Sequence, residues 1–124
     1  IGLFNWFMKQ KGHISGFTGA IWTGVTTYTL AKAMDQALKE NLTGLYNLVN
    51  NQSINKFDLC SLFNKYFRGG EVEINPDDKL QLDKSLRCKR TDFSFVVSSY
   101  EQQIKEMREW IDAHPSLYPH YNVK

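Results

Sequence analysis

Cysteine is scarce in this sequence, with two in 124 residues. Cys60 and Cys88 have neither the spacing of a zinc or redox motif nor the density of a disulfide-stapled scaffold, so they read as free thiols in a reducing compartment. Long apolar runs are missing too. No stretch approaches the roughly 20 residues that a membrane-spanning helix needs, and the apolar N-terminus carries neither a basic leader nor a cleavage-site pattern. A soluble, cytoplasmic chain with no membrane partner is the expectation. Asn41-Leu42-Thr43 and Asn51-Gln52-Ser53 then read as chance matches to the glycosylation pattern. Charge of one sign is also lacking: fifteen basic and thirteen acidic residues leave +2, too little to argue for nucleic acid.

Recognisable catalytic machinery is the next absence. His13, His114 and His120 lie far apart, and none forms an i, i+4 pair with another histidine or a cysteine, so no metal site is expected. No serine sits in a nucleophile-elbow context, and neither cysteine has a histidine placed by motif as its base. Glu71 with Glu73, or Asp77 with Asp78, are neighbours on a strand or turn and read as solvated charges. No G-x-G-x-x-G follows a strand, and the nearest approach to Tyr-x-x-x-Lys, Tyr121 to Lys124, is one residue short. Nothing in the chain alone supports catalysis.

What the sequence does contain is alternating helix and strand signals, an α/β pattern of about four helices with three or four short strands in one domain, 1–124. Leu3, Phe4, Trp6, Phe7 and Met8 make a first helix apolar on most sides, which predicts its burial. Residues 13–17 alternate as a short strand. A loop punctuated by Gly16, Gly19 and Gly24 holds Phe17, Ile21 and Trp22. Trp22 reads equally as a core or lid aromatic and as a ligand-facing one. A helix then begins at Thr26 or Thr27, with Leu30, Ala33, Met34, Ala37 and Leu38 on its apolar face. Gly44 ends the turn after it, and residues 45–49 read as a strand buried on both faces. Ser53 or Asn55 caps the next helix, whose core side is Phe57, Leu59, Leu62, Phe63, Tyr66 and Phe67. Residues 71–75 alternate as a half-buried strand, and Pro76-Asp77-Asp78 turns the chain away. Residues 93–98 suit a strand or an extended arm. Ser98-x-x-Glu101 and Ser99-x-x-Gln102 both fit a capping box, which starts the last helix near Tyr100. Its buried stripe is Ile104, Met107, Trp110 and Ile111, and His114-Pro115 closes it.

Ile21-Trp22-Thr23-Gly24-Val25, a helix, and then Gly44-Leu45-Tyr46-Asn47-Leu48-Val49 resemble the substrate-binding part of the dTDP-4-dehydrorhamnose reductase family, a branch of the extended short-chain dehydrogenases. Thr23, Gly24, Gly44, Leu45, Tyr46 and Leu48 fit the family pattern. Trp22 stands where proline is usual, and Asn47 where histidine is common. The resemblance spans Gly2 to about Tyr121. It implies a C-terminal substrate-binding fragment of a longer chain, which agrees with a sequence that begins at Ile1 inside an apparent helix. It further implies a missing N-terminal dinucleotide-binding half that holds NAD or NADP and the Tyr/Lys pair, with no cofactor on this fragment. The activity implied is that of a sugar-nucleotide reductase or epimerase in nucleotide-sugar and surface polysaccharide biosynthesis, and the ligand a dTDP- or UDP-sugar.

Residues 79–92 are the most basic part of the chain. Lys84, Arg87, Lys89 and Arg90 suit an anion such as a diphosphate, or else a solvated loop. The family places an Arg-x-x-Ser/Asp element shortly before its last helix, and the arginine holds the nucleotide-sugar diphosphate. Arg90-Thr91-Asp92 is the nearest match, without the proline that often follows, and Arg87 is the reserve. The resemblance thus implies Trp22 and Thr23 on the sugar or base, and Arg90 with Arg87 on the diphosphate. It also places the strand equivalent to 45–49 at the edge of the nucleotide-binding sheet. Without that sheet, pairing with strand 71–75 or with a second copy in a homodimer is expected. The other reading, from a different class, is a stand-alone interaction module that uses the basic 84–90 segment on an acidic partner.

Overall fold

The computed structural model describes residues 2–124. Helix α1 (Leu3–Met8) leads to strands β1 (His13–Phe17) and β2 (Ala20–Trp22), then to helix α2 (Thr27–Lys39). Strand β3 (Ile54–Asn55) runs directly into α3 (Lys56–Phe67), followed by β4 (Glu73–Asp77) and β5 (Leu82–Asp83). Helix α4 (Tyr100–Ala113) and a 3-10 turn (Pro115–Leu117) complete a mixed α/β architecture. The helix count agrees with the sequence reading; the strands number five because β3 and β5 are two-residue strands.

Three helices start where a short polar side chain satisfies a first-turn amide. Thr26 accepts from Thr29 N, Asn55 from Asp58 N and Ser99 from Gln102 N, at 3.1, 2.7 and 3.2 Å. Helix α3 is central and packs against α1, α4, β1 and β4. Phe7, Leu59, Phe63, Phe67, Ile104 and Ile111 form the core. The Phe4 ring packs edge-on against Phe63, Phe67 and Tyr121, with centroids 4.7–5.1 Å apart. Buried Arg68, at the end of α3, pairs with Glu71 at 2.6 Å and donates to the carbonyls of Phe7 and Met8, which satisfies the exit of α1.

Two small sheets form: β1 with β4 in parallel, and β3-β2-β5. In the second, β2 is antiparallel to β3 and parallel to β5.

Four expectations are corrected. Strand β4 lies two residues later than expected and includes Pro76 and Asp77. Glu73 N donates to Gly12 O and Thr18 N donates to Asp77 O, both at 2.9 Å. Odd-numbered amides therefore face β1, and the missing N–H of Pro76 points away from the ladder. Helix α1 buries Phe7 but leaves Trp6 exposed, so it lies on the core by one side. Helix α2 buries only Thr29 and Ala33, while Leu30, Met34 and Leu38 are 41, 59 and 79% exposed. The periodicity identified a helix with an apolar face but not whether this chain covers that face.

Residues 45–49, expected as a strand, are not one: both sheets close without them. No backbone amide from Leu45 to Asn51 donates to another group within the described residues. Side chains hold the segment instead. Asn47 and Asn50 donate to the carbonyls of Arg87 and Ser98 at 3.0 Å, and Asn51 exchanges two bonds with the Cys88 backbone. Leu45 is 87% exposed. Strand β4 pairs with β1 and leaves no edge to 45–49, so the expected pairing with 71–75 does not form.

Candidate functional site

The three-stranded sheet, the first turns of α2, α4 and residues of α1 and α3 line an open cavity of about 1130 Å³, slightly above the roughly 300–1,000 Å³ of ordinary small-molecule sites. Strand pairing sets one wall. Ala20 lies opposite Leu82, and Trp22 opposite Ile54, so Ala20, Trp22 and Leu82 share a sheet face. The other wall is aromatic. The Tyr28 and Trp110 rings lie 5.2 Å apart, and Trp110 Nε1 donates to the Tyr118 hydroxyl at 3.0 Å.

The passage from β2 to α2 positions Trp22. Its indole lies across the Gly24 backbone, where a Cβ would come within 2.1 Å of the ring; only glycine admits that approach. The ring also meets Tyr100, with centroids 6.3 Å apart. Tyr100 is buried, its hydroxyl donates to Gln52 O, and burial raises its pKa. Gln103, 1% exposed, then locks the start of α2 to the start of α4. Its Oε1 accepts from Thr26 N at 3.1 Å, and its Nε2 donates to Ser98 O at 2.9 Å.

Of the four residues singled out from the sequence, Trp22 lines the cavity. Thr23 is buried behind it, where its hydroxyl accepts from Leu86 N at 2.8 Å and ties the basic segment to β2. Arg90 lies with residues 43–46: Nη1 donates to Thr43 O and Leu45 O at 2.7 and 3.0 Å, and the guanidinium sits over the Tyr46 ring. Its remaining nitrogens bond Asp92, whose carboxyl is held below the usual carboxylate range by that contact. Arg87 is exposed, and its guanidinium has no hydrogen-bond partner among the described residues. The structure therefore brings Trp22 and Thr23 together and sets Arg87 and Arg90 outside the cavity wall.

Sequence reasoning did not single out Tyr28, Tyr100, Gln103, Trp110 or Lys56 as site residues, though all line the cavity, as does Lys84. Helical periodicity assigns such positions to core or solvent and does not report a cavity. Lys84 alone carried a signal, as a member of the basic cluster.

The β2–α2 passage lacks the glycine-rich turn of a dinucleotide site. The β2–α2 passage has one glycine facing the helix, and the Trp22 indole covers it. At the start of α2, Thr26 N and Thr29 N are taken by Gln103 Oε1 and Thr26 Oγ1, while the Thr27 and Tyr28 amides have no acceptor among the described residues. No group of three His, Cys, Asp or Glu among the described residues has metal-binding geometry. No helix among them is long and apolar enough to cross a membrane.

No protein-family model matches the chain, and no curated protein matches it in sequence. Solved structures do match in fold. dTDP-4-dehydrorhamnose reductase from Bacillus anthracis str. Ames, in complex with NADP, superposes at TM-score 0.70 with 16% identity over 88% of this chain and 41% of that one. The Clostridium acetobutylicum ATCC 824 dTDP-4-dehydrorhamnose reductase gives 0.73 with 13% identity, over 90% and 44%. UDP-N-acetylglucosamine 4-epimerase from Methanobrevibacter ruminantium M1, in complex with UDP-N-acetylmuramic acid, gives 0.61 with 15% identity, over 91% and 40%. The chain thus spans about two-fifths of the length of these structures. It has the fold of their C-terminal region.

Proposed function

We propose that this chain is the nucleotide-sugar-binding portion of an NAD(P)-dependent sugar-nucleotide reductase or epimerase similar to dTDP-4-dehydrorhamnose reductase, a cytoplasmic enzyme of nucleotide-sugar and surface polysaccharide synthesis. The observation that carries the reading is the coincidence of this fold with an aromatic-walled cavity of about 1130 Å³ that has Trp22 on its sheet side. In this reading Trp22 offers a flat apolar surface to the base or sugar ring. Thr23, bonded to Leu86 N, sets the height of the basic segment above that ring. Arg87, with its guanidinium free, takes the diphosphate as it leaves the cavity. Arg90 acts earlier in the chain of support by fixing residues 43–45.

The nicotinamide would supply hydride chemistry from a second, dinucleotide-binding half. This chain's own residues bind and orient the sugar nucleotide and exclude water from its ring. Two observations support a second half as partner: the exposed Leu30, Met34 and Leu38 face of α2, and the run of unpartnered amides from Leu45 to Asn51. A second copy pairing through 45–49 is the other occupant for that edge.

Titration with UDP-glucose and dTDP-glucose, followed by nuclear magnetic resonance, tests the reading. Shifts centred on the Trp22 indole and the 84–90 amides are expected. Silence at Trp22 combined with shifts at 84–90 on adding an acidic protein or nucleic acid would favour the interaction-module reading instead.

A further inference from the structure

We infer that Lys56 and Lys84 form a two-lysine anion clasp on the cavity wall, on either flank of β2, which takes a diphosphate or a comparable dianionic group. The inference deepens the proposed function and rests on it for the identity of the ligand, though not for the anion.

Strand register places both lysines. On one side Asn55 pairs with Ile21, so Lys56 leaves the last paired residue of β3 and opens α3. On the other side Asp83 pairs with Ile21, and the Lys84 amide donates to Ile21 O at 2.9 Å. Asn55 and Asp83 are two strand spacings apart, and Lys56 and Lys84 step from them in opposite directions along β2, so the lysine main chains lie about 12 Å apart. Lys84 lies two residues beyond Leu82 and continues the sheet face that carries Trp22 and Ala20.

Charge pairing separates these two lysines from the other charged residues of the cavity lining. The cavity's other ionisable side chains outside the aromatics are Lys32 and Asp35. Lys32 is bound to Glu106 at 2.7 Å, and Asp35 to Lys39 at 2.9 Å. Neither Lys56 nor Lys84 has a carboxylate within 4.0 Å among the described residues. Two uncompensated ammonium groups thus border a largely apolar and aromatic space, whose walls leave a bound anion less screened than in open water. A ligand with a flat ring and a dianionic group matches both parts. Arg87, outside the cavity wall, meets only the part of the diphosphate that leaves the cavity, and Arg90, tied to Asp92 and to two carbonyls, would have to give up those bonds to serve the same purpose.

The test uses the whole chain with inorganic pyrophosphate, UDP-glucose and uridine as probes, for the wild type and for Lys56→Gln, Lys84→Gln and the double variant. Both side chains are exposed, so the variants should keep the wild-type amide spectrum. Pyrophosphate is expected to move the Lys56 and Lys84 amides. Each single variant should weaken pyrophosphate and UDP-glucose by about three- to tenfold, the size of one charge-assisted contact, and leave uridine unchanged. If the double variant binds pyrophosphate as the wild type does, or if pyrophosphate leaves both amides unmoved, the clasp is wrong. If pyrophosphate binds through the lysines but UDP-glucose binds no more tightly than pyrophosphate, the clasp stands and the nucleotide-sugar reading fails.

Discussion

Gln103 is the residue whose loss should be felt most widely, because one buried amide joins the start of α2 to the start of α4. Replacing it with alanine removes the acceptor of Thr26 N and the donor to Ser98 O, and leaves a void beside Ile104. Two neutral hydrogen bonds contribute about 0.5–1.5 kcal/mol each, and the void adds a packing loss of similar size. Gln103→Ala should therefore cost about 2–4 kcal/mol in urea unfolding, and about 4 °C of melting temperature per kcal/mol for a chain of this length. Gln103→Glu isolates the polar part, since it keeps nearly the same volume and still accepts from Thr26 N. Once ionised, however, it turns an oxygen toward Ser98 O where the native side chain presents an N–H. Burial raises the folded-state pKa of such a carboxyl above its unfolded value of about 4.3. Its protonated form is then the favoured one, so its contribution is intact below the unfolded pKa and is lost as pH rises through the folded value. The stability gap between Gln103→Glu and wild type should widen from pH 4 to pH 7. A gap that stays constant over that range, or a loss below about 0.5 kcal/mol for Gln103→Ala, would refute the amide's bridging role.

Two further outcomes follow from individual groups. Cys60 is buried, and burial pushes its thiol up to about 11; a thiol reagent at pH 8 should modify the half-buried Cys88 readily and Cys60 only when denaturant is added. Glu106 is held below the ordinary glutamate value, first by its hydrogen bond to Lys32 and then by Gln102. With the folded pKa depressed, its contribution is present above the unfolded value and lost as pH falls through the folded one. Melting curves from pH 6 to pH 3 should show an acid decline that is shallower in Glu106→Gln; identical slopes would discount the pair.

Much of this fold is legible in the sequence because its helix signals are local. The caps at Thr26, Asn55 and Ser99 each need one short polar side chain and the amide three residues on, all within a window that the sequence displays. The sheets are less legible. Strands β3 and β5 have two residues each, too few for any alternation, and exist only because β2 lies between them. For the same reason Lys56 and Lys84 could not be brought together from the sequence: they lie 28 positions apart and meet through the register of β2. Trp22 was visible as a large aromatic beside glycines. What could not be read was that the Gly24 backbone forms the surface on which the indole rests.

The segment at 45–49 and the outer face of α2 fail in the same physical way. A short apolar run states that a segment can pair and be covered, and an apolar helical stripe states that a face can be buried; neither names the partner. Here both features fall on neighbouring parts of the chain, joined through Arg90 to Thr43 and Leu45 and through Glu40 to Ser94. Leu30, Met34, Leu38 and Leu45 are all exposed, and the amides beside Leu45 are free. Exposed apolar surface and backbone amides without a protein partner are the two features a partner surface would cover. In this region the pattern states what 45–49 could pair with and what α2 could pack against, and among the described residues neither finds it.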